Sequence, residues 1–180
     1  EELDKRKERG LYREMYEARD AEPETCVDSD EALNVCSNNY LGLATHERLA
    51  EAAAKAAREY GTGAGASRLV SGNLEPHREL EGALASLKRT ETALVFSSGY
   101  AANVGTIAAL VGERDAVFSD SLNHASIIDG CRLSGADVHV YEHADADDLC
   151  EKYRDVDARR KIVVTDTVFS MDGDVAPLDA

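Results

Sequence analysis

Apolar and polar positions follow two different rhythms along the chain. Residues 3–19 are charged and helix-favouring, with Leu3, Leu11, Tyr12 and Met15 as sparse apolar anchors, and predict a helix. A short extended stretch at 32–36 leads into the turn-rich Ser37-Asn38-Asn39-Tyr40-Leu41-Gly42. Residues 47–60 predict an alanine-rich helix stopped by Gly61, where a left-handed residue commonly ends a helix. After the glycine-rich segment 61–67 a further helix is predicted from about Leu74, with Pro76 tolerated in its first turn and Leu80, Ala83, Leu84 and Leu87 forming an apolar stripe.

The second half alternates. Short apolar runs at 93–96, 116–119, 138–141 and 162–165 have strand character, and helical candidates at 100–111, 124–133 and 145–154 lie between them. This spacing predicts an α/β fold, a three-layer α/β/α arrangement around a mostly parallel sheet with right-handed crossovers. Ligands in such sheets bind at the carboxyl ends of the strands. The expected organisation is a helix and extended arm over 1–45 followed by an α/β domain over 46–180. The tail 172–180 reads as a loop with no element after it to close the sheet, and residue 1 is Glu, so the expectation is an incomplete chain.

Composition narrows the function classes. With 43 % apolar and 31 % charged residues in 180, the chain fits a soluble globular protein. No apolar run approaches the roughly 20 residues a membrane span needs, and the opening residues lead one to expect no secretory signal. A net charge of −15 repels phosphate backbones, so no nucleic-acid partner is expected. The acidity has two readings, an ordinary acidic enzyme or a protein of a high-salt cytoplasm; 14 Arg against 6 Lys fits the second without deciding it. Cys26, Cys36, Cys131 and Cys150 show no paired or zinc spacing, as expected of scattered thiols in a reducing compartment. His139 and His143 flank strand-like residues and would not share a helical face, so no metal is expected.

Four places invite chemistry. Ser97-Ser98-Gly99-Tyr100 lies between a predicted strand and a predicted helix, where unpaired N–H groups and the helix dipole suit a phosphate; an ordinary serine cap is the alternative. The Gly61–Ser67 loop follows a helix rather than a strand, which fails the context of a dinucleotide fingerprint and leaves an active-site wall or a tight connection. His124 opens a helix after a strand, placed to stack on a flat ring or to sit at the surface. Asp166, Ser170, Asp172 and Asp174 follow the last strand, as polar ligand contacts or as turn formers.

Five segments occur in order: 37–43, 61–72, Ser98-Gly99-Tyr100-Ala101-Ala102-Asn103, Asn123-His124-Ala125-Ser126 and Phe169-Ser170-Met171-Asp172-Gly173-Asp174. Together they resemble the α-oxoamine synthases, pyridoxal-phosphate enzymes of the aminotransferase-like fold (fold type I), from about Leu3 onward. The resemblance implies that Ser98, Gly99 and Tyr100 bind the cofactor phosphate region, that His124 stacks on the pyridine ring as the catalytic histidine, and that Ser170 bonds near the phenolic oxygen. It further implies that Arg13 contacts a substrate carboxylate and that Asn38 and Asp166 lie near the amino acid. A small residue at Ser67 would leave room for the methyl of alanine.

The implied activity is acyl transfer from pimeloyl-CoA to L-alanine with loss of carbon dioxide, giving 8-amino-7-oxononanoate for biotin synthesis, in a cytoplasmic homodimer. Residues 68–73 favour this branch over an acetyl-transferring synthase that uses glycine, and a non-catalytic binding module is the alternative of another class. None of the six lysines follows a suitable strand-end motif, so this stretch alone is expected to form no Schiff base with the cofactor. Thr167 departs from the glycine the family usually carries there, which puts the geometry of the Ser170 loop in question.

Overall fold

The computed structural model describes residues 2–22, 24–28 and 30–179. The chain falls into two compact units, residues 1–75 and 76–180.

In the first unit, helix α1 covers only Glu2–Glu8, shorter than the 3–19 predicted. Gly10, at φ +66°, breaks it, and too few apolar residues follow to anchor another turn. The chain then runs extended into a hairpin that the pattern did not announce: β1 (Glu24–Val27) pairs antiparallel with β2 (Asp30–Leu33), and Ala18 bridges to Val27. The extended stretch read at 32–36 therefore begins earlier and stops at Leu33. Helix α2 (Glu47–Tyr60) matches its prediction, with the His46 side chain accepting from the Arg48 N–H and Gly61 ending it at φ +85°. Beyond it the chain doubles back tightly, and a Cβ on Gly72 would fall 1.9 Å from the Ala66 carbonyl oxygen, so only glycine fits.

The second unit carries the sheet. Helix α3 (Glu75–Lys88) starts as predicted with Pro76 in its first turn, but its apolar stripe is mostly uncovered. Leu84 is half-buried, Leu80, Ala83 and Leu87 are exposed, and Ala85 is the residue it buries. Residues 93–96 carry no strand assignment, which corrects the expected strand: strand character alone supplies no neighbouring strand, and the Val95 N–H bonds the Glu81 carboxylate at 2.9 Å.

From there the elements match. Helix α4 (Gly99–Leu110), β3 (Ala116–Asp120), α5 (Ala125–Ser134), β4 (Asp137–Tyr141), α6 (Ala146–Asp155) and β5 (Lys161–Val164) follow in order. The sheet has order β4-β3-β5 and is parallel throughout. Central β3 is buried at every position. Its Val117 packs with Ile107 and Val111 from the α4 side and Ile127 and Cys131 of α5, whereas Ala116 and Phe118 pack with Tyr141 and with Leu149 of α6. Alternation along one strand thus divides the core between two helical layers. No helix among the described residues is long and apolar enough to cross a membrane.

Candidate active site

The carboxyl ends of β3 and β5 are tied together by one side chain. Asn123 donates from Nδ2 to the Ser119 hydroxyl (3.0 Å) and to the Val164 carbonyl (2.8 Å), and its Oδ1 accepts from the Asp166 N–H (2.9 Å). The Asp166 carboxylate in turn accepts from the His124 N–H at 2.8 Å. The loops bearing His124 and Asp166 are therefore held side by side by hydrogen bonds between groups 42 residues apart.

His124 is also the cap of α5. Its Nδ1 accepts from the Ser126 N–H (3.2 Å) and faces the Ser126 hydroxyl at 2.7 Å, and that hydroxyl accepts from Nδ2 of Asn103 on α4 (2.8 Å). A backbone N–H aimed at Nδ1 makes this nitrogen an acceptor, which assigns the ring proton to Nε2. Ser126 is buried, and the imidazole it orients is exposed.

Helices α4 and α5 pack directly against each other. A Cβ on Gly130 would lie 3.0 Å from Ile107 Cδ1 and 3.1 Å from the Asn103 carbonyl oxygen, so the absence of a side chain permits the approach. From the first turn of α4, Tyr100 donates its hydroxyl to Asp129 in the middle of α5 at 3.0 Å, a contact that raises the phenol above its ordinary range. Ser98 caps α4, its hydroxyl accepting from the Ala101 N–H at 3.1 Å while the Ala102 N–H bonds the Ser98 carbonyl. The N–H groups of Gly99 and Tyr100 precede the first intrahelical bonds, and around Gly99 the chain leaves a Cβ-sized position open. The serine thus acts as an ordinary helix cap, and its capping leaves the two amides that follow it for an anion.

Ser170 is exposed at the tip of a hairpin-like loop closed by the Val168–Val175 bridge. Thr167, directly before this loop, has no left-handed backbone, so its side chain brings no backbone strain there. In the first unit Arg13, Asn38 and Ser67 are all exposed. The Asn38 side chain accepts from the Tyr40 hydroxyl at 3.2 Å, and the Ser67 carbonyl receives the N–H groups of Val70, Ser71 and Gly72.

The lysines of the second unit stand elsewhere. Lys161 begins β5 at the opposite end of the strand, and Lys152 on α6 bonds the Val140 carbonyl and Asp148. A cavity of about 200 Å³ opens on the α6 side, lined by residues including Tyr141, Leu149, Val163 and Leu178; none of Ser98, Tyr100, His124 or Ser170 lines it.

Sequence reasoning assigned no role to Asn103, Asn123, Ser126 or His143. Asn103, Asn123 and Ser126 lay inside the segments that carried the resemblance. For His143 the strand pattern around it gave no hint, because its partners Asp120 and Asp174 are 23 and 31 residues away.

Residues 30–180 match the model of the family described as aminotransferase class I and II. The chain belongs to this family. Its relatives within the aminotransferase class I and II family include 8-amino-7-oxononanoate synthases of Symbiobacterium thermophilum, 51 % identical over 181 residues, and of Geobacter metallireducens, 56 % identical over 180. Each alignment covers 99 % of this chain and 46 % of the relative, so the chain spans about half the length of the curated relatives it matches. Among solved structures, a serine palmitoyltransferase from S. paucimobilis with bound PLP–myriocin aldimine superposes with a TM-score of 0.90 at 31 % identity, over 99 % of this chain and 46 % of that one. A crystal structure of 8-amino-7-oxononanoate synthase from Francisella tularensis gives a TM-score of 0.64 at 29 % identity, over 78 % and 38 %.

Proposed function

We propose that this chain is part of a pyridoxal 5'-phosphate-dependent 8-amino-7-oxononanoate synthase, which joins pimeloyl-CoA to L-alanine with release of CoA and carbon dioxide. The observation that carries the reading is identity of about one half to synthases of that name along 99 % of the chain. The arrangement of the second unit supports it, because the anion-ready amides of Gly99 and Tyr100 and the exposed, oriented ring of His124 belong to two helices locked together at Gly130.

The open position at Gly99 and the uncommitted amides of the first α4 turn fit a phosphate monoester. When bound, the cofactor supplies an electron sink that makes the amino-acid Cα proton acidic. Gly99 and Tyr100 would hold its phosphate through backbone N–H groups, with the Ser98 hydroxyl proton as a third donor. His124 would lie flat against its ring, its tilt fixed by Ser126 and Asn103. Ser170 would donate to its phenolic oxygen. Arg13 would pair with a substrate carboxylate through two parallel N–H bonds, with Asn38 and Asp166 beside the amino acid. Ser67, small and exposed, would accommodate the alanine methyl, where a branched residue would favour glycine.

The intact protein would be a cytoplasmic homodimer, with residues 1–45 as an arm and 46–180 as the start of the cofactor-binding domain. The likeness to serine palmitoyltransferase makes the acyl donor and amino acid the discriminating variables. A panel of acyl-CoA thioesters against alanine, glycine and serine, using the full-length protein, tests the proposal. Pimeloyl-CoA with alanine should give the highest kcat/KM; faster turnover of glycine or of a short acyl donor would overturn it.

A further inference from the structure

His143, outside the residues given roles above, has both ring nitrogens engaged. Nδ1 lies 3.0 Å from Asp120 Oδ1 and Nε2 lies 2.7 Å from Asp174 Oδ2. A carboxylate oxygen only accepts, so each contact needs a proton on the facing nitrogen, and the ring is an imidazolium. Asp120 is fully buried at the end of β3; burial pushes its carboxyl up, but the N–H groups of Ala144 and Leu122 and the imidazole outweigh this and hold it below the ordinary range. Asp174 has its second oxygen buried with no hydrogen-bond partner among the described residues, which leaves the imidazolium to compensate its charge. Ala144, next to the histidine, is held at φ +53°, a left-handed backbone unfavourable for alanine, while its N–H bonds Asp120 at 2.9 Å.

Asp174 closes the loop that carries Ser170. Its carbonyl accepts from the Phe169 N–H (2.9 Å), the Gly173 N–H bonds Phe169 (2.8 Å), and the Ala176 N–H bonds Thr167 (3.0 Å). The buried Phe169 ring meets the His143 ring edge-on, with centroids 4.4 Å apart. One side chain therefore grips this loop through a charge and through a ring, while its other nitrogen is rooted in the central strand.

We propose that His143, an imidazolium between Asp120 and Asp174, is the positioning residue that fixes the Ser170 loop against the carboxyl ends of β3 and β4. Its consequence for the cofactor rests on the function proposed above; the clamp itself does not. Substituting His143 would strand the buried Asp120, so the informative change is at Asp174, whose side chain is 38 % exposed.

In long-range proton–nitrogen spectra of the wild-type protein at pH 7, both His143 nitrogens should be protonated. In Asp174→Ala, amide exchange at Gly173 and Ala176 should quicken about tenfold while Val117 and Phe118 in β3 keep their rates. Asp174→Asn, which retains an acceptor, should recover part of the protection. Affinity for pyridoxal 5'-phosphate should fall in the same order, Asn before Ala. A singly protonated His143 in the wild type, unchanged loop exchange in Asp174→Ala, or measurable binding of pyridoxal 5'-phosphate with equal affinity in all three proteins would overturn the clamp's positioning role. Should the wild type bind no pyridoxal 5'-phosphate while His143 stays doubly protonated and the loop amides respond, the cofactor reading fails and the clamp stands.

Discussion

Asp115, immediately before β3, shows how one residue couples the sheet to acid stability. Its buried carboxylate accepts from Arg159 Nε (2.8 Å) and a terminal guanidinium nitrogen (2.7 Å), and from the Gly112 N–H (3.0 Å). The Arg159 hydrogen bonds, opposed by burial, bring its pKa to about 2. Because this folded value lies below the ordinary 3.8, the contribution is present above pH 3.8 and is lost as pH falls through about 2. Arg159→Ala should move the midpoint of acid unfolding, followed by circular dichroism, to higher pH. An unchanged midpoint would show that the guanidinium does not stabilise the ionised carboxylate. His143 has the opposite sign. The hydrogen bond to Asp120 raises it above 6.5, so its contribution is present below 6.5 and lost as pH rises through the folded value. Urea unfolding at pH 6 and pH 9 should therefore show a loss at the higher pH that Asp174→Ala makes smaller.

Between elements, energetics concentrate where β3 meets its helices and where α4 meets α5. Phe118, fully buried among Tyr141, Leu149 and the His139 ring, should cost about 3–5 kcal/mol as alanine, read by denaturant unfolding. Leu80→Ala, on the uncovered stripe of α3, should cost well under that. Gly130→Ala drives a methyl into the Asn103 backbone, for a loss of about 1–3 kcal/mol and a weakened His124 anchor. A Gly130→Ala protein of wild-type stability would mean that the helices separate freely. These contrasts also mark what the pattern of residues could reveal. From Gly99 onward, the Ser98 cap and the two periodicities left the borders within a residue or two. Upstream, strand character at 93–96 could not say whether a partner strand lay alongside, and the apolar spacing of α3 could not say what would cover it. The candidate site was legible as local structure where a residue marks a helix entry, as at His124 and Gly99. It was hidden where side chains meet across long sequence separations, as at Asn123, Ser126 and His143.

At the scale of the molecule, the first unit keeps little apolar surface from water: Met15, Tyr40, Leu41, Leu69 and Val70 are all at least 80 % exposed. Such surface favours association, and light scattering should show the chain self-associating as concentration rises. Net charge opposes this at low salt. Because the Debye length shrinks from about 10 Å at 0.1 M to about 3 Å at 1 M, added salt should raise the melting temperature if the acidity is an adaptation to a saline interior. The defining test concerns the first turn of α4 and the cap of α5. Pyridoxal 5'-phosphate titrated into nitrogen-15-labelled protein should shift the Gly99 and Tyr100 amides and the His124 ring together, and pyridoxal without its phosphate should leave the two amides unmoved. Shifts confined to other regions, with Gly99, Tyr100 and His124 silent, would contradict the assignment.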